Sequence, residues 1–160
     1  MRVGQGFDVH PFSDDPSRRL VLGGVEMPSV RGLAGHSDAD VVTHALADAV
    51  LGAAALGDLG THFPDTDPAW AGANSRALLA QVVGLAADAG LAPVNADLTV
   101  VAETPRLAGL LPAMADALGA VLGAPVSVKA TRGEGLGAIG RAEGIACLAV
   151  VLLAPADPRP

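Results

Sequence analysis

The chain is short of aromatic residues, cysteine and lysine, and each shortage excludes something. Among 160 residues only Phe7, Phe12, Phe63 and Trp70 are aromatic, and there is no tyrosine. The core is therefore aliphatic and alanine-rich, with few platforms for stacking. The lone Cys147 excludes an intrachain disulfide framework and any multi-cysteine zinc site. Lys129 and nine arginines face 17 acidic residues, for a net charge of −7. A nucleic-acid binder needs cations for phosphates and usually aromatics for bases, so that class is excluded. An anionic ligand would have to be held locally, by metal ions, backbone N–H groups and one or two arginines. No apolar run approaches the ~20 residues of a membrane span, the longest being Ile145 to Ala154. The opening MRVGQGFDVH has no apolar stretch and carries Asp8, so no signal peptide is expected. A cytoplasmic location is the expectation.

What is present fits one folded domain over residues 1–160, with 155–160 as a frayed tail. Apolar residues make up 51% and charged residues 17%, too apolar for disorder. Residues 2–12 alternate as a strand, with Val3, Gln5, Phe7 and Val9 on one face and Gly4, Gly6, Asp8 and His10 on the other. Arg19–Val25 reads as a second strand and Met27–Gly35 as a loop. Ser37 or Asp38 is placed to cap a helix running to about Leu56. Residues 57–72 form a long turn-rich loop. Helices are expected over Asn74–Ala89 and Leu107–Leu122, and strands over Val94–Glu103 and Val126–Arg132. Gly144–Leu153 is apolar on both faces and reads as a strand buried on both. The order β-β-α-α-β-α-β, with a parallel crossover through the third helix, predicts an α+β fold. Its mixed sheet carries helices on one face. With no helix left for the other face, that face is expected to pack against another subunit.

The four histidines all lie between positions 10 and 62, and ten acidic residues lie in the first 67. Asp8 and His10 share one strand face, and a carboxylate with an imidazole suits Zn²⁺. The next helix carries a polar stripe at Asp40, His44 and Asp48. His44 would complete a three-ligand set with a fourth position open, and Asp48 would orient it. The same residues equally fit an ordinary exposed strand face and a surface helix pair. Gly35-His36-Ser37-Asp38 reads as an anion-binding helix start or as simple capping. Phe63-Pro64-Asp65-Thr66-Asp67-Pro68 is a stiff loop with two carboxylates, or a solvated turn, and His62 beside it reads as exposed. Thr131-Arg132-Gly133-Glu134 suits a phosphate and a hard cation, although no Walker motif is present. Gly135 to Gly140 match GxGxxG without a following helix, so a dinucleotide site is not supported. Cys147, mid-strand among apolar residues, reads as core.

Four segments resemble the 2-C-methyl-D-erythritol 2,4-cyclodiphosphate synthase family: GFDVHPF at 6–12, LAGHSDADVVTHALADAVLGAAALGDLG at 33–60, FPDTD at 63–67 and GRAEGIA at 140–146. They recur in order through nearly the whole chain. The resemblance implies a homotrimer with active sites between subunits. It implies a cytidine diphosphate substrate, 4-diphosphocytidyl-2-C-methyl-D-erythritol 2-phosphate, cyclised with release of CMP in non-mevalonate isoprenoid synthesis. Neither nucleic acid nor membrane is an implied partner. By the same resemblance Asp8, His10 and His44 hold Zn²⁺, and the segment Asp8-Val9-His10 also meets substrate. His36 and Ser37 contact the methylerythritol phosphate end, and Asp58, Leu59 and Gly60 the ribose. Phe63, Pro64, Asp65, Thr66 and Asp67 line the methylerythritol pocket. From the neighbouring subunit, Ala102, Glu103, Thr104, Pro105, Arg106, Leu107 and Ala108 enclose the cytosine. Ala130, Thr131, Arg132, Gly133 and Glu134 meet the diphosphate, with Glu134 on a second cation, Mg²⁺ or Mn²⁺. Arg141 and Glu143 fall near the trimer axis, and Ala138 lines a central cavity there. By the same resemblance His36 and Arg132 occupy catalytic positions, that of Arg132 being where the family's threonine helps stabilise the transition state.

Two positions depart from the family pattern. Arg132 stands where a second threonine is usual, and Ala138 where a large apolar or aromatic residue is common. Two other functions remain consistent with the residues. One is a metal-dependent phosphoesterase, opposed by the lack of a base placed to hold water, Asp65 being the one candidate. The other is a ligand-binding protein in which Arg132 and Ala138 reflect lost catalysis.

Overall fold

The computed structural model describes residues 1–156 and, for residues 28–30, the backbone alone. The chain runs β1 (Arg2–Pro11), β2 (Arg19–Leu22), β3 (Val25–Arg31), α1 (Val41–Ala54), α2 (Leu59–His62), α3 (Ser75–Asp88), β4 (Leu91–Val101), α4 (Leu111–Leu122), β5 (Val126–Thr131), α5 (Gly137–Gly140) and β6 (Gly144–Pro155), with a 3₁₀ turn at Pro68–Trp70. A four-stranded sheet has the order β1-β6-β4-β5, and β2 and β3 form a separate hairpin. The β1–β6 and β6–β4 pairs are antiparallel, while β4 and β5 are parallel across α4. The expected mixed sheet and crossover are therefore present. The expected frayed tail lies mostly outside the described residues.

Several sequence expectations are corrected. Arg19–Val25 is not one strand, and Met27–Gly35 is not all loop. Gly23 and Gly24, both at positive φ, turn the chain back so that Val25–Arg31 pairs with β2. Glycine tolerates that conformation without steric cost, which makes a tight hairpin here. The first helix starts later than Ser37 or Asp38. Its N-cap is Asp40, fully buried, whose carboxylate accepts from Val42 N and Thr43 N of the helix and from Gly23 N and Gly24 N of the hairpin. Asp40 is thus a structural tie between two elements and not part of a polar stripe. Within the single chain β6 is covered mainly on the face of Ile145, Cys147, Ala149, Val151 and Leu153, while Leu148 and Val150 on the other face are 42% and 46% exposed, the face for which a second subunit is expected.

α1 is the centre of the core. It is buried almost all round, which a helix of this composition requires. Its contact with β1 is backbone to backbone. A Cβ on Gly4 would lie 1.9 Å from the Ala49 carbonyl oxygen, and one on Gly6 2.0 Å from that of Ala45. Nothing larger than hydrogen fits at these positions. The close approach delivers Asp8 and His10, further along the same strand face, to His44 on α1.

Candidate active site

At the C-terminal end of β1, three ligand atoms converge. Asp8 Oδ2 lies 3.0 Å from His10 Nε2 and 3.1 Å from His44 Nδ1, and the two nitrogens are 3.4 Å apart. The ring partners fix which nitrogens carry protons. His10 Nδ1 is 2.8 Å from the Ala34 carbonyl, which can only accept, so Nε2 turns a lone pair inward. His44 Nε2 is 2.8 Å from Ser75 Oγ, whose own proton goes to Asp38 Oδ1, so His44 Nδ1 also presents a lone pair. Two lone pairs and a carboxylate oxygen thus face one point with no donor between them. A cation fits that arrangement. Tetrahedral zinc, with bonds of about 2.0–2.2 Å, places its ligand atoms about 3.3–3.5 Å apart. A carboxylate with two imidazoles is also a suitable donor set for a divalent ion, and three ligands leave one position for substrate.

Without a cation, a proton takes its place. Burial alone would raise the Asp8 pKa, but hydrogen bonds and charge from His10 and His44 outweigh it and hold the carboxyl well below its usual range. Burial alone would lower the His10 pKa, but Asp8 outweighs that and raises it.

The three residues sit in a cavity of about 560 Å³. His36, Ser37, Leu59, Gly60, Phe63, Pro64 and Asp65 also line it. Val9 points to the other sheet face and is 48% exposed. Asp58 caps α2, accepting from Thr61 N and Oγ1, and Asp67 caps the 3₁₀ turn. Neither carboxylate lines the cavity, nor does Thr66. The helix start expected at residues 35–38 is not formed there: α1 begins at Val41, and the Asp40 carboxylate caps its Val42 and Thr43 N–H groups. Asp48 does not orient His44. It lines the cavity and accepts from Leu59 N at 2.8 Å. Burial is the main influence raising its pKa. His62 is half-buried rather than exposed, bonded to the Leu56 carbonyl at 2.8 Å.

Ser75, Trp70 and Leu78 are not among the candidates named from the sequence, and Asp38 is named there only as a helix cap or part of an anion-binding helix start. Ser75 and Asp38 support His44. Trp70 and Leu78 line the cavity, and Trp70 meets Phe63 edge-on with ring centroids 5.0 Å apart. Trp70 was findable: in a chain with four aromatics, one placed in a long loop is out of keeping with a role in the core.

The remaining candidates lie elsewhere, at the C-terminal edge of the parallel pair β4 and β5. Ala102 N donates to the Thr131 carbonyl, joining the two loops. Arg132 pairs with Glu103, whose second oxygen is buried without a partner. Ala102 and Leu107 are buried, whereas Thr104, Arg106, Ala108, Ala130 and Thr131 are exposed. Glu134 is exposed at positive φ. Arg141 pairs with Glu143 at 2.6 Å, and Ala138 is exposed on α5. None of these residues lines the cavity of the same chain. Cys147 is buried in β6, and burial, chiefly, pushes its thiol up to about 12. No helix among the described residues is long and apolar enough to cross a membrane.

A curated 2-C-methyl-D-erythritol 2,4-cyclodiphosphate synthase of Symbiobacterium thermophilum is 62% identical over 157 residues, covering 96% of this chain and 99% of that one. The structure of the bifunctional IspDF of Campylobacter jejuni superposes with a TM-score of 0.91 at 43% identity, over 96% of this chain and 42% of that longer one. The IspF–CDP complex of Plasmodium falciparum superposes with a TM-score of 0.84 at 32% identity, over 98% and 97% of the two chains. The profile of the YgbB family matches residues 1–154, and on that match and these identities the chain belongs to the YgbB family.

Proposed function

We propose that this chain is a phosphorus–oxygen lyase that converts 4-diphosphocytidyl-2-C-methyl-D-erythritol 2-phosphate to 2-C-methyl-D-erythritol 2,4-cyclodiphosphate and CMP. The observation that carries the reading is the convergence of Asp8, His10 and His44 in the lining of a cavity, in a chain 62% identical to a protein named 2-C-methyl-D-erythritol 2,4-cyclodiphosphate synthase. In the reaction a 2-phosphate oxygen attacks the β-phosphorus of the diphosphate. The P–O bond to the CMP phosphate breaks, and CMP leaves with the electron pair. The attacking group is already an anion, so no protein nucleophile is required, in keeping with an inert Cys147. The barrier is charge repulsion and the entropy of folding one flexible molecule onto itself. Orientation of that kind is worth ~7–11 kcal/mol in favourable cases.

Asp8, His10 and His44 would hold Zn²⁺, and Glu134 a Mg²⁺ or Mn²⁺ ion. Bound there, such cations supply positive charge to phosphoryl oxygens, which an acidic chain otherwise lacks. His36 and Ser37, on the cavity wall, hold the methylerythritol phosphate end. Phe63, Pro64 and Asp65 shape the pocket for the methylerythritol carbons, with Trp70 stiffening Phe63. Leu59 and Gly60, with Asp58, take the ribose. The loops 102–108 and 130–134 provide the cytosine and diphosphate contacts from a neighbouring subunit of a homotrimer. Two observations support that assembly. These loops do not reach the cavity of their own chain, and the sheet face bearing Val3, Phe7, Val9, Leu148 and Val150 has no cover among the described residues. Arg132 offers the diphosphate a charged donor, oriented by Glu103, in the place of a threonine. The cytoplasm is the proposed location.

The test is His44→Ala. It is expected to lose zinc and nearly all turnover while keeping its assembly state. Undiminished turnover in this variant, stripped of zinc, would refute the mechanism. Free monophosphate as the product would favour a phosphoesterase instead.

A further inference from the structure

Two serine hydroxyls approach Nε2 of His44, Ser75 Oγ at 2.8 Å and Ser37 Oγ at 3.2 Å. They are not equivalent. Ser75 is 1% exposed and lies outside the cavity lining, at the first residue of α3. Its hydroxyl donates to Asp38 Oδ1, and its backbone N–H donates to Asp38 Oδ2 at 3.0 Å. A serine hydroxyl has one proton. That of Ser75 is committed to Asp38, so its oxygen meets Nε2 only as an acceptor. Asp38 is itself anchored, its backbone N–H donating to the Ala73 carbonyl at 3.1 Å. Ser37 stands on the cavity wall and accepts from Ala39 N at 3.2 Å, with its proton uncommitted.

We infer that Ser75, backed by Asp38, is the positioning residue that holds His44 with its Nδ1 lone pair aimed at Asp8 and His10, and that Ser37 is thereby left free for the ligand of the cavity. This rests on the reading of Asp8, His10 and His44 as a metal-binding group and divides labour between two hydroxyls that proximity alone does not separate. Asp38 decides the direction of the chain. An uncharged amide there can donate to Ser75, which releases the serine proton toward Nε2 and favours the opposite tautomer, with the Nδ1 proton pointing at the metal position.

The experiment measures Zn²⁺ affinity of the metal-stripped protein at one fixed pH, without substrate, by competition with a chromophoric chelator. Ser75→Ala and Asp38→Asn are each expected to weaken zinc about 10- to 100-fold, the range for partners that orient a metal-bound histidine. Ser37→Ala is expected to stay within about threefold of wild type. Ser75→Thr, which keeps the hydroxyl, is expected to recover most of the loss. Asp38→Asn, nearly isosteric, carries the test if Ser75→Ala does not fold. Equal losses from Ser37→Ala and Ser75→Ala, or no loss from Asp38→Asn, overturn the inference while leaving the metal-group reading intact. A wild-type chain that binds no zinc overturns both.

Discussion

Gly6→Ala tests the packing that builds the site. A Cβ at Gly6 would stand 2.0 Å from the Ala45 carbonyl oxygen and 2.7 Å from Ala49 N. Ordinary contact begins at about 3.5 Å, so β1 and α1 must part by roughly 1 Å or more. The opposing atoms are backbone in a buried helix, and no rotamer change relieves them. Overpacking of this kind costs about 1–3 kcal/mol. In a chain of this size each kcal/mol lowers Tm by about 2–4 °C. The sharper effect falls on the site. Asp8 and His10 follow Gly6 on one strand face, and His44 precedes Ala45 on the helix. Their ligand atoms are 3.0–3.4 Å apart, whereas metal coordination tolerates about 0.2 Å. Gly6→Ala should therefore lower Tm by about 2–12 °C and weaken zinc binding at least about tenfold. Both are read by thermal melts and chelator competition at one protein concentration. Gly84→Ala is the control: its Cβ meets nothing within 4 Å on α3, and alanine should stabilise that helix by about 0.5–1 kcal/mol. A Gly6→Ala protein with wild-type Tm and zinc affinity would refute the reasoning.

Asp40→Ala removes a buried N-cap and strands the hairpin N–H groups of Gly23 and Gly24. The expected cost is about 3 kcal/mol or more by urea denaturation, and a cost under 1 kcal/mol would contradict the role of Asp40 as a tie. The raised His10 pKa gives opposite pH signatures with and without metal. In the metal-free protein its stabilising contribution is full below the ordinary 6.5 and is lost as pH rises through the raised value. Zinc must displace that proton, so its affinity falls about tenfold per unit of acidification below the folded-state pKa. Melts across pH should show the zinc increment growing as pH rises, and a constant increment would contradict this. Cys147, at about 12, should resist alkylation in the native state at pH 8 and react only on unfolding, as mass spectrometry would show.

The sequence made legible what depends on short-range periodicity. The period of two places Asp8 with His10, and the alternation with Gly4 and Gly6 marks the face that meets α1. The parallel crossover through α4 follows from element order. What escaped depends on contacts distant in sequence. Asp40 reads as one of a polar stripe until the hairpin arrives to use its carboxylate from 16 and 17 residues away. Asp48 has the right helical spacing to serve His44, but the backbone N–H of Leu59 claims it. Ser75 supports His44 from 31 residues away, and no local pattern marks it. The apolar run of β6 marks both faces for burial but does not say what covers each, because an apolar strand looks the same whether a helix or another subunit covers it; within the chain Leu148 and Val150 stay open.

The central claim is an intramolecular ring closure that depends on bound metal. It is tested most directly by phosphorus NMR of the purified protein with 4-diphosphocytidyl-2-C-methyl-D-erythritol 2-phosphate, Zn²⁺ and Mg²⁺, run with and without a chelator. The account predicts two mutually coupled signals from a cyclic diphosphate, together with CMP, and their disappearance on chelation. Unchanged substrate signals, or cyclic product formed undiminished in the presence of chelator, would contradict it.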